Sequence, residues 1–86
     1  MSYRILIERR AEKDFEALEQ SDYHRILERL LMLCENPRLN DTKKLIGSRN
    51  SWRLRVGDYR ILYDIIDSKK EINIYRIKHR STAYKL

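Results

Sequence analysis

The chain has 86 residues and a net charge of +6, with 19 Lys and Arg against 13 Asp and Glu, and a single cysteine. That length fits one compact domain and excludes two. The lone Cys34 excludes an intramolecular disulfide and a cysteine-built metal centre, and a reducing cytoplasm is the expected compartment.

The charge is unevenly placed. Residues 1–42 hold seven Lys/Arg and nine Asp/Glu, a net of −2, whereas residues 43–86 hold twelve and four, a net of +8. An excess confined to one half points to an anionic partner met by that half, with nucleic acid first and an acidic protein second. The plainer alternative is a solvated surface that keeps the chain soluble.

In chain order, "YRILIE" alternates and is β-rich, so Tyr3 to Glu8 is expected to be a strand, far too short for a signal peptide or a membrane span. From Arg9 to Glu19, Ala11, Phe15 and Leu18 share one helical face. Ser21 or Asp22 can cap a second helix running to about Glu35, with Tyr23, Ile26, Leu27, Leu30, Leu31, Leu33 and Cys34 as its apolar stripe. Asn36-Pro37 ends it, because the residue before proline is pushed out of the α region. "NPRLNDTK" (36–43) is expected to be a loop, and "KLIG" a short extended piece with Gly47 in a turn. Three strands follow, about Trp52–Val56, Tyr59–Ile66 and Glu71–Ile77, with turns at Gly57-Asp58 and at 67–70. The tail can be a short helix or stay extended. The fold class is therefore α+β, in the order β-α-α-β-β-β, with two helices on one face of a small, mostly antiparallel sheet.

With Gly57-Asp58 as a two-residue loop, Val56 faces Tyr59, Arg55 faces Arg60, Leu54 faces Ile61 and Arg53 faces Leu62. Alternation then puts Trp52, Leu54, Val56, Tyr59, Ile61 and Tyr63 on the core side and Arg53, Arg55 and Arg60 on the other. Like charges opposed across a ladder destabilise it by roughly 0.2–1 kcal/mol, and no acid in the local pattern offsets this. Such a cluster suits a phosphate, since guanidinium forks match its oxygens and stay charged at any relevant pH. The competing reading is a solvated, aggregation-resistant sheet face. The tail "RIKHRSTAY" adds Arg76, Lys78, His79, Arg80 and Tyr84, which can close around the cluster if the last strand lies beside Tyr59–Ile66. An imidazole, a phenol and an ammonium near a phosphate can serve metal-free RNA cleavage, in which the 2′-hydroxyl attacks the adjacent phosphate. Arginine cannot be the base, so His79 or Tyr84 carries the protons, with Lys78 as a further candidate. His24 is expected to be exposed, and no P-loop, HExxH or Ser-His-Asp pattern is present.

"PRLND" after the second helix, "KLIG", "WRLRVGDYRILY" and "HRSTAY" together resemble the RelE family, the toxins of type II toxin–antitoxin pairs. The resemblance spans nearly the whole chain in family order. It implies a ribosome-dependent endoribonuclease that cleaves messenger RNA at the 30S A site without metal or cofactor, silenced by a RelB-like antitoxin. It implies operator DNA binding only through the antitoxin complex. By position it assigns Arg53, Arg55, Arg60, His79, Arg80 and Tyr84 to the catalytic site. Lys43, Lys44, Arg49, Arg76 and Lys78 are assigned to RNA contacts. Family members often carry lysines where this chain has Arg53 and Arg55, which moves proton transfer onto His79, Tyr84 or Lys78. The wider superfamily also holds gyrase-poisoning ParE relatives and inactive members acting as co-repressors.

Overall fold

A computed structural model describes residues 2–80. Strand β1 (Arg4–Ile7) leads into helices α1 (Arg9–Glu16) and α2 (Gln20–Glu35). Strands β2 (Thr42–Lys44), β3 (Ser51–Val56), β4 (Tyr59–Ile66) and β5 (Glu71–His79) follow. They form one five-stranded sheet in the order β1-β5-β4-β3-β2, antiparallel except for the β1–β5 pair.

The α+β class and element order expected from the sequence hold, with one added strand. Thr42–Lys44 was expected to be mostly loop. It instead pairs with Leu54–Trp52, because the outer backbone edge of β3 would otherwise lack partners for its polar groups. The expected Ser21/Asp22 cap is not used. Helix α2 begins at Gln20, two residues before the start that a Ser21 cap would give, behind an extended Glu19 that makes no side-chain cap, and Asp22 lies in the first turn, where its charge favours the helix dipole.

The helices supply one layer of the core. Ala11 and Phe15 of α1, one turn apart, and Ile26, Leu30 and Leu33 of α2 are buried against Leu54, Ile61, Tyr63, Ile72, Ile74 and Ile77. Helix α2 stops at Asn36, whose backbone is extended before Pro37; this is the conformation that a following proline imposes. Tyr63 is fully buried and its hydroxyl donates to the Pro37 carbonyl at 2.8 Å, tying the helix exit to the centre of the sheet. Burial pushes its pKa up to about 12. The apolar stripe of α2 is broader than the core. Tyr23, Leu27, Leu31 and Met32 remain exposed, and Cys34 is half-buried.

Two backbone features set the site. Gly57 has φ +59° while no positive φ occurs at Asp58, the pattern of a type II′ hairpin turn. Between Leu62 and Tyr63 the β4–β5 register slips, so that Tyr63 pairs with Ile74 but Leu62 pairs with Arg76. The extra residue, Tyr75, is a β-bulge in β5.

Candidate nucleic-acid interface

Residues directly opposite in a ladder share a face of the sheet. The hairpin register pairs Arg55 with Arg60 and Arg53 with Leu62, as the two-residue turn requires. Extending across the sheet, Arg60 pairs with Lys78, Leu62 with Arg76 and Arg53 with Lys43. Two rows of side chains therefore cross the face away from the helices. One is Lys43, Arg53, Leu62, Arg76; the other is Arg55, Arg60, Lys78.

The bulge is what makes this face cationic at β5. Ile72 and Ile74 are core residues two apart, and unbroken alternation would carry Arg76 and Lys78 inward with them. The inserted Tyr75 reverses the parity, so Ile77 enters the core instead. The spacing of the isoleucines in "INIYRIKH", two and then three, is the sequence signal of that reversal.

At the hairpin turn a cleft is lined by Arg55, Gly57, Asp58, Tyr59, Arg60 and Arg80. Arg80 is held there by its own backbone, whose N–H donates to the Asp58 carbonyl at 2.6 Å. Its guanidinium stands 3.7 Å from the Asp58 carboxylate, with both side chains mostly exposed. That contact is weak and exchangeable for a stronger anion. The Tyr59 phenol is pushed above its ordinary range, first by burial and then by Asp22, Glu19 and Asp58.

A second concavity on the same face is lined by Asp41, Lys43, Arg53 and Arg55. The local pattern offered this cluster no acid, but the fold brings Asp41 beside it. A hydrogen bond from Arg29 of α2, at 2.5 Å, chiefly holds the Asp41 carboxyl below its ordinary range.

Not every basic residue expected at the site joins it. Arg76 stands in the cationic row, yet its Nε donates to Asp14 of α1 at 2.9 Å, and the Ile77 N–H donates to the same carboxylate oxygen at 2.8 Å. Strand β1 pairs with β5 only as far as Ile74, so Asp14 satisfies the strand edge that β1 leaves open and engages Arg76 with it. Lys44 pairs with Trp52 and so belongs to the helix-side face, and Arg49 is exposed in the β2–β3 connection.

His79 stands on the other side of β5 from Lys78. Its register partner is Tyr59, on the face opposite Arg55 and Arg60, and the two rings meet edge-on with centroids 5.2 Å apart. Strand alternation directs the imidazole to the side opposite Arg55 and Arg60, against Tyr59, which also lines the cleft. Tyr84 lies outside the described residues. Conversely, no local pattern ties Arg25 of α2 to the cluster, yet its guanidinium packs on Gly57 at the edge of the cleft.

On the helix side, Ile7, Phe15, Tyr23 and Leu27 line an apolar groove rimmed by Glu12 and Glu16. The two faces thus differ in character: one is a guanidinium-rich sheet surface, the other a greasy groove with acidic edges.

Residues 5–84 match the family described as "ParE toxin of type II toxin-antitoxin system, parDE". The chain belongs to the RelE/ParE toxin family of type II toxin–antitoxin systems. It is 32% identical over 88 residues to "Putative toxin RelE1" of Methanocaldococcus jannaschii, covering 99% of this chain and 98% of that one. Among solved structures, it is similar to the archaeal RelE–RelB complex of Pyrococcus horikoshii OT3. There the TM-score is 0.83 at 33% identity, over 93% of this chain and 97% of that one. It is also similar to the RelB–RelE antitoxin–toxin complex from Methanococcus jannaschii, with a TM-score of 0.77 at 28% identity, over 92% and 94%. The intact E. coli RelBE toxin–antitoxin complex matches with a TM-score of 0.82 at 22% identity, over 91% and 96%, a likeness of fold.

Proposed function

We propose that this RelE/ParE-family toxin is a metal-independent endoribonuclease that cuts messenger RNA in the ribosomal A site. The observation that carries this reading is the direct opposition of Arg55 and Arg60, with Arg80 lining the same cleft. The RNA's own 2′-hydroxyl attacks the adjacent phosphorus; the new O2′–P bond forms as the P–O5′ bond breaks. The products are a 2′,3′-cyclic phosphate and a 5′-hydroxyl. Arg55, Arg60 and Arg80 hold the phosphate and stabilise the charge that builds on its oxygens, a task suited to fixed guanidinium donors. Arg53 and Lys43 carry the neighbouring strand.

One proton must leave O2′ and one must reach O5′. Lys78, opposite Arg60 on the cationic face, and Tyr84 of the tail are assigned these transfers. His79, whose ring meets Tyr59 of the cleft, is the third candidate. Lys44, Arg49 and Arg76 serve ribosomal RNA contacts at the periphery, where backbone charge rather than sequence is read.

The partner is a RelB-like antitoxin, as in the solved relatives that are toxin–antitoxin complexes. An acidic segment would cover the arginine face and an apolar one the exposed residues of α2. Operator DNA is reached only through that complex, and the cytoplasm is the site of action. Among the described residues, no helix is long and apolar enough to cross a membrane.

Induction without antitoxin tests the reading. Growth arrest accompanied by messenger cuts within translated frames supports it; arrest with intact messenger removes it. The ParE description of the matching family favours one second reading, a gyrase-directed toxin acting by protein contact. That reading requires DNA-damage signalling on induction and indifference to Tyr84→Phe.

A further inference from the structure

Arg25 lies on α2, in the half of the chain without excess positive charge, and the sequence gives no reason to join it to the arginine cluster. The fold does. A Cβ placed on Gly57 would lie 2.8 Å from Nη2 of Arg25 and 3.3 Å from its Cζ, so the guanidinium fills the space a side chain at 57 would occupy. Gly57 is favoured by its φ of +59°, and the space it leaves beside the turn is where the Arg25 guanidinium sits. The same glycine lines the cleft with Arg55, Arg60 and Arg80.

We propose that Arg25 is a further RNA-backbone ligand, taking the phosphate that neighbours the one held by Arg55, Arg60 and Arg80. Its side chain is 60% exposed and meets Asp22 at 4.0 Å, the outer limit of an ion pair. An exposed pair of that kind contributes little and yields to a phosphate, which accepts two guanidinium bonds at once. Packing against the turn restricts the side chain in advance, lowering the ordering cost of binding. A single strand carries a charge at every nucleotide, so a strand seated in the cleft brings further phosphates to its rim. There Arg25 supplies the cation.

The inference rests on the phosphate reading of the cleft, and the experiment separates the two. The probe is a fully 2′-O-methylated single-stranded oligoribonucleotide, which cannot be cleaved by 2′-hydroxyl attack. Its affinity for the whole chain is measured over a salt series. Each single-strand phosphate contact adds about 0.7 to the slope of log K against log salt. Arg25→Ala and Arg25→Gln are expected to lower the slope by about 0.7 and weaken binding several-fold, with unchanged melting temperature, while Arg25→Lys keeps the slope. If Arg60→Ala lowers the slope and the Arg25 variants do not, Arg25 is not a ligand and the cleft reading survives. A slope insensitive to both positions overturns both. A lower melting temperature with an unchanged slope assigns Arg25 to turn packing and overturns the inference.

Discussion

Arg55 and Arg60 stand directly opposite each other across the β3–β4 ladder, on a sheet face whose next residues across are Lys78 and, one row away, Arg53 and Lys43. Opposed like charges weaken a sheet, and an anion bound between them would offset that cost. Arg60→Ala is therefore expected to leave far-UV circular dichroism and the urea midpoint near wild type while lowering RNA cleavage by about 100-fold, the size of losing one donor to a developing oxyanion. Toxicity retained by a folded Arg60→Ala protein would remove the cluster from the mechanism.

The Asp14 carboxylate holds both the Arg76 guanidinium and the Ile77 amide from one oxygen. Both side chains of the pair are largely shielded from solvent. Asp14→Ala leaves a guanidinium and a strand N–H without their acceptor, and is expected to cost about 2–3 kcal/mol in urea unfolding. Asp14→Asn keeps an acceptor for Ile77 and should cost clearly less. Equal losses would mean that Asp14 acts through packing.

Tyr63 links the sheet centre to the Pro37 carbonyl. Tyr63→Phe is expected to lower stability by about 1 kcal/mol, through one lost buried hydrogen bond. The raised pKa has a pH signature as well. The folded state keeps its proton up to about 12, so this contribution is fully present below the ordinary value near 10 and is lost as pH rises from 10 toward 12. A urea midpoint flat across that window in wild type, relative to Tyr63→Phe, would contradict the assignment.

At the far end of the sheet, Arg38 donates to both carboxylate oxygens of Asp67, at 3.3 and 2.7 Å, and the Tyr3 hydroxyl adds a bond at 2.5 Å. Hydrogen bonding from Arg38, then from Tyr3, holds the Asp67 carboxyl at about 2. Its stabilisation is present above the ordinary value of 3.8 and is lost as pH falls toward 2. Carboxyl-carbon NMR should show this low titration in wild type and a return toward 3.8 in Arg38→Met. An unmoved titration would mean that Arg38 does not set it.

Much of this was legible in the residues. "VGDY" dictates a two-residue turn, and a turn of known length fixes the register that opposes Arg55 to Arg60. Buried stripes at helical spacing place α1 and α2. What escaped depends on contacts distant in sequence. Thr42–Lys44 is a strand because β3 has an open edge beside it, and three residues are too few to show a strand period of their own. Arg25 is at the cleft only because the fold lays its long side chain against Gly57. The orientation of His79 was within reach: Ile72, Ile74 and Ile77 announce the bulge, and His79 follows Ile77 to the helix side.

The most direct measurement is the chemistry of the cut ends left by purified toxin on messenger-programmed ribosomes. A 2′,3′-cyclic phosphate upstream and a 5′-hydroxyl downstream are expected, with both products lost in Arg60→Ala. Messenger left uncut by wild type, or cut to 3′-hydroxyl and 5′-phosphate ends, would contradict the proposed reaction.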